Sequence, residues 1–280
     1  MSENAQSNQL PDRRTGSDAG FWLGFTVIGL LYVGLILAMV AADAAFTTPR
    51  NLWRALASPE IRYAIKLSLV SCSITAILSL WVAVPTGYLM SRLRFPGKGL
   101  VDAILDIPIV LPPLIVGLSL LILFQTPPGL AVQKLIPITY AIPSVILAQF
   151  AVACAFAVRT MRVAFDQISP RNEQVALTLG CTRGQAFWRV VLPEGRRGML
   201  TAFTLAWARS LGEFGPILIF SGATRMRTEV LSTSVFLELS IGNLEAAVAV
   251  SLLMIVAAVA VLLLVRGFGS DAAFGKGMEP

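Results

Sequence analysis

Histidine is absent from the 280 residues, and the three cysteines, Cys72, Cys154 and Cys181, stand singly. Neither a metal-ligand cluster nor a disulfide framework can be assembled from that set, since both need several suitably spaced ligands. Charge is scarce too: 14% of residues are Asp, Glu, Lys or Arg, against roughly 25% in soluble domains. No G-x-x-x-x-G-K-[ST] phosphate cradle occurs, and Pro96-Gly97-Lys98-Gly99 is a basic turn without the rest of that motif. With no nucleophile, base or metal set, the chain is expected to be no enzyme and to hold no cofactor or metal.

Hydrocarbon is what the sequence has in abundance. Apolar residues make up 56% of it and the mean hydropathy is +0.75, so the bilayer is its expected solvent. Six runs approach the roughly 20 residues that cross a hydrocarbon core: Gly20 to Ala42, Leu67 to Met90, Leu100 to Phe124, Ala141 to Met161, Met199 to Phe220 and Leu244 to Val265. The expected fold is therefore all-α: a polytopic membrane protein with six transmembrane helices over residues 20–266 and tails at 1–19 and 267–280. The polar stretch Met1 to Ala19 has no apolar core, so it reads as a disordered cytoplasmic tail rather than a signal peptide.

The net charge of +6 and pI near 9.7 do not call for nucleic acid, because the basic residues sort by loop, as orientation signals do. One set holds Arg13 and Arg14, then Arg92, Arg94 and Lys98, then Arg159, Arg162, Arg171, Arg183, Arg189, Arg196 and Arg197, then Arg266 and Lys276. That side is expected to be cytoplasmic, with both termini on it, in the inner membrane. The opposite set is smaller: Arg50, Arg54, Arg62 and Lys66, then Lys134, then Arg225 and Arg227. Pro49 to Lys66 is expected to lie on membrane lipid as an amphipathic helix, with Trp53 and Tyr63 at headgroup depth. Pro108, Pro112 and Pro113 should kink span three, and Gly212, Gly215 and Pro216 interrupt span five.

The largest expected cytoplasmic connection, Arg162 to Gly198, is the one place where a soluble partner can grip. Within it, Glu173-Gln174-Val175-Ala176-Leu177-Thr178-Leu179-Gly180 reads as a short helix ended by glycine. Phe187-Trp188-Arg189-Val190-Val191-Leu192-Pro193 reads as an amphipathic stretch stopped by proline. Phe187 and Trp188 are expected to form a buried anchor for the partner, ringed by Arg183, Arg189 and Glu173. The alternative is an amphipathic loop lying on lipid.

Gln174-Val175-Ala176, three residues, Gly180, nine residues and Val190-x-Leu192-Pro193 together resemble the EAA loop of type I ABC importer permeases. Gln174-Val175 stand where that motif usually has Glu-Ala, and Glu173 supplies a carboxylate one residue earlier. The resemblance extends over spans two to six, including Asp106-Ile107-Pro108 through Pro112-Pro113. The segment Ala208-Arg209-Ser210-Leu211-Gly212-Glu213-Phe214-Gly215 is similar to the molybdate, tungstate and sulfate permeases. The resemblance implies a permease bundle whose loop couples to a separate ABC ATPase subunit. It also implies an extracytoplasmic solute-binding protein that selects the ion, and Arg225, Arg227 and Glu229 are contact candidates for it. A homodimer is the simplest assembly, since the ATPases of this class close as a pair.

Arg209, Glu213 and Phe214 are the pathway or gate candidates. Arg209 and Glu213 stand four apart in span five, where mutual neutralisation offsets part of the cost of burying either charge; that reading and a role in the pathway both stand. A secondary transporter would place coupling carboxylates or histidines at mid-membrane, and here Glu213 is the chief residue on offer. Phosphate, polyamine and amino-acid substrates stay open beside the oxyanions.

Overall fold

The structure, a computed structural model, describes the backbone of residues 19–274 and the side chains of residues 20–263. The expected 1–19 tail lies, but for Ala19, outside the described residues, as do residues 275–280. Among the described residues there is no strand. The chain divides into two units, Met1–Phe46 and Thr47–Pro280. The first holds α1 (Ala19–Phe46), and the second holds every element that follows.

Each break in the second unit has a local cause. Thr48 accepts a bond from the Asn51 amide and Pro49 opens α2 (Pro49–Ala57), the position where a missing N–H costs nothing. Ser58, extended because Pro59 follows it, repeats the device for α3 (Pro59–Arg92). The expected interfacial helix over Pro49 to Lys66 therefore ends at Ala57, and its remainder belongs to a helix that runs on through span two. Trp53 is exposed, but Tyr63 is half-buried and donates from its hydroxyl to the Arg227 carbonyl, 3.1 Å away. Tyr63 thus packs partly against the protein.

Span three is a turn, not a kinked helix. Leu111 and Pro112 each precede a proline, and both take extended backbone. Consequently α4 (Lys98–Val110) and α5 (Pro113–Gln125) meet at 110°. The chain continues through α6 (Pro127–Leu135), α7 (Ile142–Gln167) and α8 (Pro170–Thr178), then α9 (Arg183–Ala186) and α10 (Leu192–Glu194). It ends in α11 (Arg196–Leu211), α12 (Gly215–Phe220), α13 (Leu231–Ser240) and α14 (Leu244–Phe274). Among the described residues four helices are long and apolar enough to cross a membrane: Gly20–Phe46, Pro59–Arg92, Ile142–Gln167 and Leu244–Leu263. The pair α4 and α5 passes the same test together. The remaining expected span is divided between α11 and α12, which is compatible with six crossings.

Small residues let these helices meet. Ala64, Ser68, Ser71, Cys72, Thr75, Ala76, Ser79, Ala83 and Gly87 are buried along α3, which packs chiefly on α7 and then on α11, and lipid offers no hydrophobic gain for larger ones. A side chain on Gly87 would start 2.9 Å from the Arg162 amide nitrogen. Polar groups fasten the seam: Thr75 Oγ1 donates to Gln149 Oε1 at 3.2 Å, and Gln149 Nε2 donates to the Ser210 carbonyl at 3.2 Å. The fully buried Gln149 thereby joins α3, α7 and α11.

Candidate functional site

The Arg162 to Gly198 connection folds as a hairpin of two helical limbs. Ser169 and Pro170 start α8, and Gly180 ends it at φ +87°. There the Gly180 amide donates to the Leu177 carbonyl at 3.0 Å and the Cys181 amide to the Ala176 carbonyl at 3.1 Å. This is the glycine-closed turn in which a left-handed residue satisfies the last carbonyls of a helix. Thr182 and Gln185 then cap each other's amides to begin α9, a pairing visible in Thr-x-x-Gln.

The second limb departs from expectation at Pro193. Phe187–Val191 widens into a π turn, with the Leu192 amide bonded to the Phe187 carbonyl. A proline ring normally collides with the carbonyl four residues back, and the widened turn relieves that collision. Pro193 therefore does not stop the helix. The Gly195 amide still reaches the Val191 carbonyl at 2.9 Å, and the chain passes almost unbroken into α11.

The two faces of the hairpin differ. Val175, Leu179 and Trp188 are 57%, 80% and 68% exposed, and Gln174, Arg183, Arg189 and Pro193 are exposed beside them. Ala176 is buried and Leu192 half-buried. Phe187 and Trp188 do not act as one anchor: Phe187 turns inward onto Tyr88 and Phe165, its ring 4.7 Å and 6.4 Å from theirs, while Trp188 points outward. Glu173, expected in the outer rim, also faces inward. Tyr88 Oη donates to its Oε1 at 2.6 Å, and Arg92 Nε lies 3.4 Å from its Oε2. Tyr88 and Arg92 carry no sequence signal of this role, since an arginine ending a span reads as an orientation charge.

The pathway candidates sit at the break between α11 and α12. Arg209 Nη1 lies 2.6 Å from Glu213 Oε2, and its guanidinium carbon is 5.8 Å from the centre of the Phe156 ring. Glu213 is buried, its carbonyl accepting from Ser232 Oγ at 2.7 Å, and Phe214 packs on Phe236 with ring centres 5.3 Å apart. Gly117 and Gly215 bring α5 and α12 together, so the breaks of spans three and five meet. Towards the hairpin, Arg159 binds Asp106 at 2.6 Å and Arg162 binds Asp102, around a cavity of about 270 Å³. Sequence had assigned these arginines to orientation alone.

Of the three outer candidates, Arg225 binds Glu238 at 2.7 Å and stands 3.7 Å from Glu229. Glu229 is fully buried and accepts from Ser234 Oγ at 2.8 Å, so it cannot be a surface contact. Burial pushes its carboxyl above the usual range, against the pull of Ser234 and Arg225. Arg227 alone of the three is exposed and without an ion pair among the described residues.

The family model for the inner membrane component of binding-protein-dependent transport systems matches residues 83–270. The chain belongs to this family. The sulfate transport system permease protein CysT of Escherichia coli K12 is 32% identical over 249 residues, covering 85% of this chain and 90% of CysT. The molybdenum transport system permease protein ModB of Mycobacterium tuberculosis is 32% identical over 253 residues, covering 89% and 93%. The fold is that of a solved bacterial ABC transporter involved in alginate import: a TM-score of 0.69 at 19% identity, over 91% of this chain and 96% of that one. This permease is thus a multi-pass membrane transport subunit that groups with the sulfate and molybdenum permeases of ABC importers.

Proposed function

We propose that this permease carries a tetrahedral divalent oxyanion across the inner membrane, molybdate or tungstate ahead of sulfate, driven by a separate ABC ATPase that docks on the α8 to α10 hairpin. The observation that carries the reading is the outer face of the hairpin. Val175, Leu179 and Trp188 stand exposed on a rigidly capped turn with Arg183 and Arg189 beside them, as an apolar centre with a polar rim would require. Two copies of the chain would present two such faces, one for each ATPase. An extracytoplasmic solute-binding protein supplies the ion and its selectivity.

The relatives named for sulfate and molybdenum support the oxyanion. So does the pairing of Arg209 with Glu213, because a neutralised arginine offers no deep trap for an anion that must leave quickly. Uptake of labelled molybdate, tungstate and sulfate into a strain lacking this chain is the test: at least one should be lost and restored by the wild-type gene. Unchanged uptake of all three, with loss of another solute, would refute the substrate.

A further inference from the structure

Within the hairpin, α8 packs chiefly on the second limb, and its connection to the membrane helices is a polar one. Tyr88 and Arg92, one turn apart at the end of α3, reach the same carboxylate on Glu173. Arg92 Nη2 also donates to the Ile168 carbonyl at 3.0 Å, immediately before the residue that caps α8. The Tyr88 ring meets Phe187 of the other limb at 4.7 Å and Phe165 at the end of α7 at 5.7 Å. One side chain of α3 thus touches both limbs, while Arg92 holds the start of the first.

We infer that Glu173 is a positioning residue which, held by Tyr88 and Arg92, passes displacement of α8 directly into α3. This rests on the reading of the hairpin as the ATPase dock. The link has a physical basis: the Tyr88 to Glu173 bond is short at 2.6 Å and charge-assisted, and Arg92 adds an ion pair at 3.4 Å between side chains 13% and 14% exposed. A nine-residue helix such as α8 has little stability alone and moves as its attachments dictate. From Arg92, the 34-residue α3 packs along α7 and, in its first half, accepts the Leu231 amide on Ser68 Oγ at 2.8 Å. Motion at the hairpin is therefore carried by one helix to its contacts with α7 and with the start of α13.

The test uses the assembled importer in membrane vesicles, with labelled sulfate and molybdate as probes. It measures ions moved per ATP hydrolysed and the amount of ATPase that copurifies. Glu173→Gln should lower ions per ATP about tenfold, and Tyr88→Phe and Arg92→Met by about threefold or more, from the loss of charged hydrogen bonds. ATPase copurification should be unchanged, and the exchange Arg92→Glu with Glu173→Arg should recover part of the coupling. An unchanged ratio in Glu173→Gln would overturn the inference. So would loss of ATPase from Glu173→Gln while Tyr88→Phe is silent, since Glu173 would then belong to the docking face. Leu179→Asp tests the dock separately: if it keeps its ATPase, the docking reading fails whatever the Glu173 variants do.

Discussion

At φ +87°, Gly180 holds a conformation that an L side chain enters at a cost of about 1–2 kcal/mol. An added Cβ would meet nothing within 4 Å, so the penalty is conformational and asparagine, which tolerates this region, should largely escape it. Gly180→Asp also places a charge beside the exposed Leu179. It should leave membrane levels normal while weakening ATPase copurification and uptake, with Gly180→Asn close to wild type; equal behaviour of the two would remove the argument from charge. Glu229 gives a second residue-scale test. A carboxyl whose folded-state pKa is raised binds more protons folded than unfolded. Its stabilising contribution is complete below the ordinary value of 4.5 and is lost as pH rises through the raised one. Glu229→Gln cannot ionise, so its melting temperature relative to wild type should climb as pH increases above 4.5. A difference that stays constant with pH would mean that burial does not govern this group.

Helix α5 meets α12 where no side chain intervenes. A Cβ on Gly117 would lie 2.6 Å from Pro216 Cα and 2.9 Å from its carbonyl oxygen, and backbone cannot swing aside as a flexible side chain can. Gly117→Ala should therefore destabilise the detergent-solubilised protein by about 1–3 kcal/mol, the usual cost of overpacking. Gly184→Ala, where the new atom meets nothing within 4 Å, should be neutral or better in a thermal melt. This pairing was not legible in the sequence, which marks Gly215 and Pro216 as an interruption but not their partner. The first limb of the hairpin was legible, because glycine after a short polar helix has one common use. The second was misread at Pro193, since the rule that proline ends a helix assumes a four-residue repeat and Phe187–Val191 is wider. The inward turn of Glu173 was hidden for another reason: its partners lie 85 and 81 positions away, and periodicity carries no information at that separation.

For the molecule as a whole, the orientation of the bundle decides whether the hairpin can meet an ATPase at all. The proposed orientation has it in the cytoplasm, since arginines from Arg159 to Arg197 flank it on both sides. Cys181 is a native reporter of that orientation: it follows Gly180 at the tip of the hairpin, free and half-buried. Cys72 is buried within α3 and should stay silent, and Cys154, half-buried in α7, can be removed as Cys154→Ser. In that variant a membrane-impermeant maleimide should leave Cys181 unmodified in intact cells and modify it in inside-out vesicles. A docked ATPase should slow the modification, because the exposed Leu179 and Trp188 place the proposed contact around the same turn. Modification in intact cells would reverse the orientation and with it the docking site. Modification in inside-out vesicles at the same rate with and without the ATPase would keep the orientation and move the dock elsewhere on the cytoplasmic face.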